Sequence, residues 1–323
     1  MFNSHSLDIL LLVNFSDACF GSIPAIVQIA ETLKVRLTML HVYNPARTRR
    51  SDAEAQLDSF FPEAHRYAPC HRIVVPGSLI EAVRRHLKVW PVNLIAAPAA
   101  DTRGIPRIGH RSTRSRLVKE CGVPVWTVGR RVELQRLTQP VRNVACWLDY
   151  YSWQTGHLAF AMEYANKLNA KLHLLRALPE IHEGSLILGA LRKGALHPGG
   201  ASKEILALCA NAPNRPGVHV SSGEGRPALV RMLRECDADV VFLPGEESSL
   251  AEWLGFGLRL GDGIPCSAIY VGDHLSAPVW NLETGAANRA VGALRDGARL
   301  RGQLGVAGVR KGVGVAAISW LAS

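Results

Sequence analysis

What this chain of 323 residues lacks narrows its reading before any motif is sought. Its seven cysteines (Cys19, Cys70, Cys121, Cys146, Cys209, Cys236 and Cys266) are odd in number, scattered, and form no CxxC pair. That speaks against a disulfide framework and against a zinc site, and free buried thiols in a reducing compartment are expected instead. The 12 histidines show no HxxxH or HExxH spacing, so no metal is expected. His157 and His173 are expected on element surfaces or in packing. No apolar run approaches the ~20 residues of a membrane span. The start, MFNSHSLDILLLVNF, has no basic leader region, and Asp8 stands before a very short apolar run, unlike a signal peptide. A cytoplasmic location without a membrane partner is the expectation. No GxSxG elbow surrounds Ser16, which reads as a helix cap rather than a nucleophile. No paired carboxylates stand out from the ordinary charge background either.

What is present is ordinary in amount and uneven in placement. Apolar residues make up 48% and charged residues 20%, as in a globular protein. The length suits two domains plus an extension. The formal charge of +10 divides into +7 over residues 1–135, −1 over 136–273 and +4 over 274–323. An even basic coat would suit nucleic acid; here the charge sits in one half and a tail. Nucleic-acid binding through the basic first half and tail is an alternative. It lacks an RRM, KH, OB or helix-turn-helix pattern with interleaved aromatics.

The chain then reads as one βα pattern. LDILLLV (7–13) is a short continuous apolar run, the mark of a strand buried on both faces. SDACFGSIPAIVQIAETL follows as a helix, with Ile23, Ile26, Ile29 and Leu33 at helical spacing and Ser16 or Asp17 to cap it. RLTMLHVY (36–43), HRIVV (71–75), VNLIAAPA (92–99) and VPVWTV (123–128) are further strands. Between them lie a helix SLIEAVRRHL, capped by Ser78, and another near 112–120. Strands alternating with helices imply parallel βαβ units with helices on both faces.

The order recurs. RNVACWLDY (142–150), the helix SWQTGHLAFAMEYANKL, AKLHLLRAL (170–178), VHVSSGEGRPALVRMLREC (218–236), DADVVFLPG (237–245) and IPCSAIYV (264–271) repeat it in sequence. A period of about 140 residues is too long for a solenoid and marks a duplicated domain. The expected organisation is a first domain over 1–135, a second over 136–273, and a glycine-rich, poorly ordered extension over 274–323. GRRVELQRLTQPV (129–141) is the linker, and the long segments 44–70 and 179–217 are expected to be functional or mobile.

These features resemble the universal stress protein family. The resemblance rests on the first-strand endings VNFS (13–16) and WLDYYS (147–152), the second-strand ending LHVY (40–43) with Val42, a glycine opening the third helix of each half (Gly77, Gly225), and last strands beginning VPVW and IPCS. It covers nearly all of 5–273. It implies two five-stranded parallel α/β domains of the adenine-nucleotide alpha-hydrolase-like kind, and ATP or AMP as ligand. In ATP-binding members an acid after the first strand contacts the nucleoside. A Gly-x2-Gly-x9-Gly-Ser/Thr loop after the fourth strand wraps the phosphates, because glycine lets backbone N–H groups approach phosphate oxygens. The family's domains also pair through their last strands, so VPVWTV and IPCSAIYV could pair within one chain as an internal pseudo-dimer.

Both halves depart from that pattern. The first carries Asn14 at the acid position, and Arg111 where a glycine should precede Ser112. Gly104 and Gly109 do not fit the spacing. The second half keeps Asp149, but after Gly245 its loop has displaced glycines and Glu246, Glu247 and Glu252, which repel a triphosphate. Two readings of TRGIPRIGHRST (102–113) stay open. One is a phosphate site from Gly104, Gly109, Ser112, Thr113 and arginines such as Arg111; the other is a solvated basic connection. The resemblance therefore implies a non-catalytic binding or regulatory protein whose adenine-nucleotide sites are degenerate and weak. Asp149 suits a helix cap as well as a ligand contact. The related hydrolases and ligases use an SGGxDS-type loop after the first strand, whose glycines VNFSDA and LDYYSW lack.

Overall fold

The computed structural model describes residues 6–98, 113–128, 132–148, 156–178, 216–222, 225–245 and 264–272. The basic loop 102–112, Asp149, the segment 179–215 and the extension from 273 lie outside the described residues. The described residues divide into two compact units.

The first unit runs β1 (Leu7–Val13), α1 (Asp17–Phe20), α2 (Ile23–Thr32), β2 (Val35–Tyr43), α3 (Arg50–Ser59), a 3-10 turn (Pro62–Arg66), β3 (Cys70–Pro76), α4 (Leu79–Val89), β4 (Leu94–Ala96), α5 (Thr113–Cys121), β5 (Val125–Val128) and α6 (Leu134–Leu137). Its strands lie in the order β3-β2-β1-β4-β5, all parallel. β1 is central, and all its residues except Asp8 are buried. At about 1.5–3 kcal/mol for each buried large aliphatic side chain, that strand alone contributes on the order of 10 kcal/mol, an upper bound against a compact unfolded chain.

The second unit runs β6 (Asn143–Trp147), α7 (Gly156–Lys167), β7 (Lys171–Leu178), β8 (Gly217–Ser222), α8 (Gly225–Glu235), β9 (Val240–Pro244) and β10 (Ser267–Val271). Its order is β8-β7-β6-β9-β10, again all parallel. The topology repeats the first unit strand for strand, as the duplicated sequence predicts. Tyr164 of α7 and Phe242 of β9 meet edge-on in its core at 5.5 Å.

One local lock occurs in both units. Asn93, just before β4, accepts the Asp8 N–H through its side-chain oxygen at 2.8 Å and returns its own N–H to the Asp8 carbonyl at 2.9 Å. Asp239, just before β9, accepts the Asn143 N–H at 2.9 Å and donates its N–H to the Asn143 carbonyl at 2.9 Å. A polar residue at this point satisfies the end of a central strand that has run out of ladder partners. In the first unit Asp8 also takes a bidentate ion pair from Arg36, its register partner on β2.

Several boundaries differ from expectation. The single helix expected after β1 is two, because Pro24 has no N–H to give the turn before it and its ring crowds that carbonyl. The fourth strand is only Leu94–Ala96. The segment 44–70 contains α3, an exposed helix that buries only Ala53 and Leu57. Within the stretch read as a linker, α6 packs against α2 and buries Leu137. Cys19, Cys70, Cys146, Cys236 and Cys266 are buried, as expected, while Cys121 is half-buried. Burial pushes the Cys70 thiol up to about 12. No helix among the described residues is long and apolar enough to cross a membrane.

Candidate functional site

Open parallel sheets offer ligands a crevice at the carboxyl ends of their strands, so the described chain leaving β1, β2 and β3 is the candidate site. In the first unit the chain leaves β1 through Asn14, Phe15 and Ser16. The Asn14 carboxamide oxygen accepts the Ser16 N–H at 3.1 Å and the Ser16 hydroxyl at 2.7 Å, an Asx turn. The Ser16 oxygen in turn accepts the Cys19 N–H at 3.3 Å and caps α1. Ser16 is therefore the cap the sequence predicts. The Asn14 side chain thus spends its acceptor within its own turn.

Within that turn Phe15 stands in the left-handed region, at φ 58°. Its ring lies 4.5 Å from the His41 ring of β2 and 5.9 Å edge-on from Phe60, which follows α3. Phe20 also contacts Phe60, ring to ring at 4.8 Å, and is 47% exposed. His41 Nδ1 lies 2.8 Å from the Val13 carbonyl, which can only accept, so Nδ1 carries the proton. The corner beside Asn14 is thus packed with the protein's own aromatic rings. Cys19, under this corner, is fully buried; its thiol is pushed up by burial, against weaker opposing bonds from the Asn14 and Phe15 backbone. It is an inert packing thiol rather than a nucleophile.

Of the remaining expected site positions in this unit, Val42 and Thr113 fall among the described residues. Val42 is a half-buried residue near the end of β2, paired with Val75. Gly77 turns the chain out of β3 at φ 111° and donates its N–H to the Tyr43 carbonyl at 3.1 Å. Ser78 occupies the position before α4 but makes no side-chain capping bond, contrary to expectation. Thr113 is the first, exposed residue of α5. Its companions Gly104, Gly109, Arg111 and Ser112 lie outside the described residues, as does Asp149.

In the second unit the end of β6 is pinned differently. His157, near the start of α7, is buried and holds the Trp147 carbonyl through Nε2 at 2.8 Å. The N–H of Gly245 is taken by the Val271 carbonyl at 2.6 Å, which extends the β9–β10 ladder. That donor is spent on the sheet and does not point into a loop. His173 is buried as well, 2.9 Å from His219, a contact that sequence spacing did not signal. Among the described residues no cluster of three or more His, Cys, Asp or Glu side chains could hold a metal ion.

No protein-family model and no curated protein matches the sequence. Solved structures do match the fold. A universal stress protein from Archaeoglobus fulgidus DSM 4304 superposes with a TM-score of 0.59 at 14% identity, over 84% of this chain and all of that one. A putative universal stress protein from Pseudomonas aeruginosa UCBPP-PA14 gives 0.52 at 14% identity, over 83% and 93%. A protein of unknown function from Pseudomonas aeruginosa PAO1 gives 0.52 at 14% identity, over 82% and 92%. Each match covers more than one unit and nearly all of the other chain, so the likeness includes the duplicated topology. The chain has the α/β fold of universal stress proteins, with the same five-stranded order in each of its two units.

Proposed function

We propose that the chain is a tandem universal stress protein acting without catalysis, as a cytoplasmic binding or regulatory module whose adenine-nucleotide sites are degenerate. The observation that carries this reading is the turn after β1. The resemblance asks that position for an acceptor toward a nucleoside, and Asn14 has turned its only acceptor oxygen onto Ser16. Its amide N–H groups can still donate, but a neutral donor gives about half the strength of a charged acceptor bond. Phe15, seated on His41 and Phe60, fills the adjoining corner. Adenine nucleotide does not fit this donor set well.

A phosphate-bearing ligand, where one binds, goes to the first unit. α5 opens at Thr113, directly after Arg111 and Ser112, so a helix N-terminus and an arginine fork lie together in sequence there. In the second unit the Gly245 N–H is used by the sheet and three glutamates follow it.

Two measurements test this. Mass spectrometry of the freshly purified, denatured protein should release little or no nucleotide. Calorimetric titration with ATP and AMP should show weak or no binding, and any binding should fall with Arg111→Ala. Micromolar ATP affinity that survives Arg111→Ala and vanishes with Asp149→Ala would place an intact site in the second unit and overturn the proposal.

A further inference from the structure

We propose that His173 and His219 form a proton-responsive latch in the second unit, which takes up one proton with its hydrogen bonds intact and opens on the second, loosening the edge strand β8 from β7. The latch is built by strand register. His173 on β7 pairs with Ala145 on β6 and with Gly217 on β8. Asn143 lies two residues before Ala145 and His219 two after Gly217, so all three side chains share one face. Gly217 makes the meeting possible: a Cβ there would sit 3.1 Å from His173 Nδ1 and 3.5 Å from His219 Nε2.

Every donor and acceptor in the row is fixed by its neighbour. The Asn143 side-chain N–H group donates to the Asp237 carbonyl at 3.3 Å, so the amide oxygen is the atom facing His173 Nε2 at 3.2 Å. An amide oxygen only accepts, so His173 carries its proton on Nε2. Its Nδ1 then offers a lone pair to His219 Nε2 at 2.9 Å, and His219 must be the donor. The direction runs from His219 through His173 and Asn143 to the α8–β9 turn. A first proton enters on His219 Nδ1 and leaves every bond in place, because imidazolium still donates from Nε2. A second proton can enter only on His173 Nδ1, where it sets one N–H against another. The row then breaks at the contact between β7 and β8.

The charges around the row support that order. Lys171, on β7 itself, disfavours a proton on either ring, while Glu235 from α8 favours one on His219. Arg231 of α8 donates to Ser221 of β8, and the Asp239 carboxylate is occupied by the Arg142 and Asn143 N–H groups. Burial first, then His219, then Lys171 lower His173 to about 4. His219 is also lowered, mainly by burial, but Glu235 opposes the shift. Each ring is a group the protein keeps neutral near neutral pH, and His219 is the one placed to charge first.

The test uses the full chain. Long-range proton–nitrogen NMR of the imidazole rings, from about neutral pH down to about pH 3.5, reads both tautomers and both titrations. The expected result is an Nε2–H tautomer on both rings and a first step on His219 with β8 amides still protected. A second step on His173 should coincide with a loss of about ten-fold or more in β8 hydrogen-exchange protection, while β6 stays protected. In His219→Gln the carboxamide can donate to neutral His173 or turn to accept from its charged form. His173 should then titrate in one step closer to 6.5, with β8 protected throughout. Independent titration of both rings near the ordinary value, an Nδ1–H tautomer on His173, or β8 opening at the same pH in wild type and His219→Gln each overturn the latch. If the variant does not fold, the wild-type tautomers and β8 protection decide the matter alone.

Discussion

His86 offers a sharp test of the packing around α4. It sits in the last turn of that helix, and its Nε2 is buried without a hydrogen-bond partner. Four residues on, Trp90 ends the helix with its indole N–H equally buried and unpartnered. Burial, with no charge partner involved, lowers His86 from 6.5 to about 4. The folded state thus binds fewer protons than the unfolded chain between those values. Its stability contribution is fully present above 6.5 and is lost as pH falls toward 4. At 1.36 kcal/mol per unit, the whole shift is worth about 3 kcal/mol. About 2 kcal/mol of that should already be gone at about pH 5. Replacing the ring by an apolar side chain removes both the titration and the unsatisfied nitrogen, whose burial costs about 1–3 kcal/mol. His86→Leu should therefore leave α4 as stable as wild type or more so near neutral pH, and more stable by about 2 kcal/mol or more at about pH 5. Hydrogen exchange of the α4 amides in both proteins, at both pH values, measures this for the helix itself. An identical acid response in the variant, or a His86 that titrates near 6.5, would refute the reasoning.

Other substitutions separate contacts that look alike in sequence. Ser16→Ala should cost about 1 kcal/mol in denaturant unfolding, because its oxygen caps α1, whereas Ser78→Ala, with no capping bond to lose, should stay within about 0.5 kcal/mol. Equal costs for the two would show that the capping geometry does not matter. Gly77→Ala should cost about 1–2 kcal/mol although nothing lies within 4 Å of the added Cβ, since φ 111° strains any side chain; an unchanged midpoint speaks against that strain. Phe60→Ala should cost about 3–5 kcal/mol, because the residue is 1% exposed and its ring contacts both Phe15 and Phe20. A loss below about 1 kcal/mol would mean that the corner collapses around the gap.

The repeated strand order was legible because it rests on short-range patterns. β1 is an apolar run broken only by Asp8, and a similar apolar run recurs at β6. Element ends were less legible, since Ile23, Ile26, Ile29 and Leu33 keep helical spacing across a break that only Pro24 announces. α3 was invisible to periodicity because it buries two small contacts, Ala53 and Leu57, and leaves the rest of its length to water. The pair Phe60–Phe61 at its end was the available signal, two large apolar residues in a segment otherwise read as loop. The histidine row had none: Asn143, His173 and His219 are brought together by the register of three strands, which spacing along the chain does not encode.

The site divides along the same line. Asn14 and Ser16 are two residues apart, and an Asn followed at that distance by Ser is a local turn that needs no tertiary information. From sequence, Asn14 reads as a missing acid, a single lost charge. In the structure Asn14 is linked to its neighbour. While the amide oxygen serves the turn, Phe15 within it holds a left-handed conformation, and its ring rests on His41 and Phe60. Asn14→Asp alone would restore a charge without clearing the aromatic corner. An aspartate could make the same turn bonds, so Phe15 would have no reason to leave. The arrangement at the end of β1 is therefore a property of Asn14 and Phe15 together rather than of one residue.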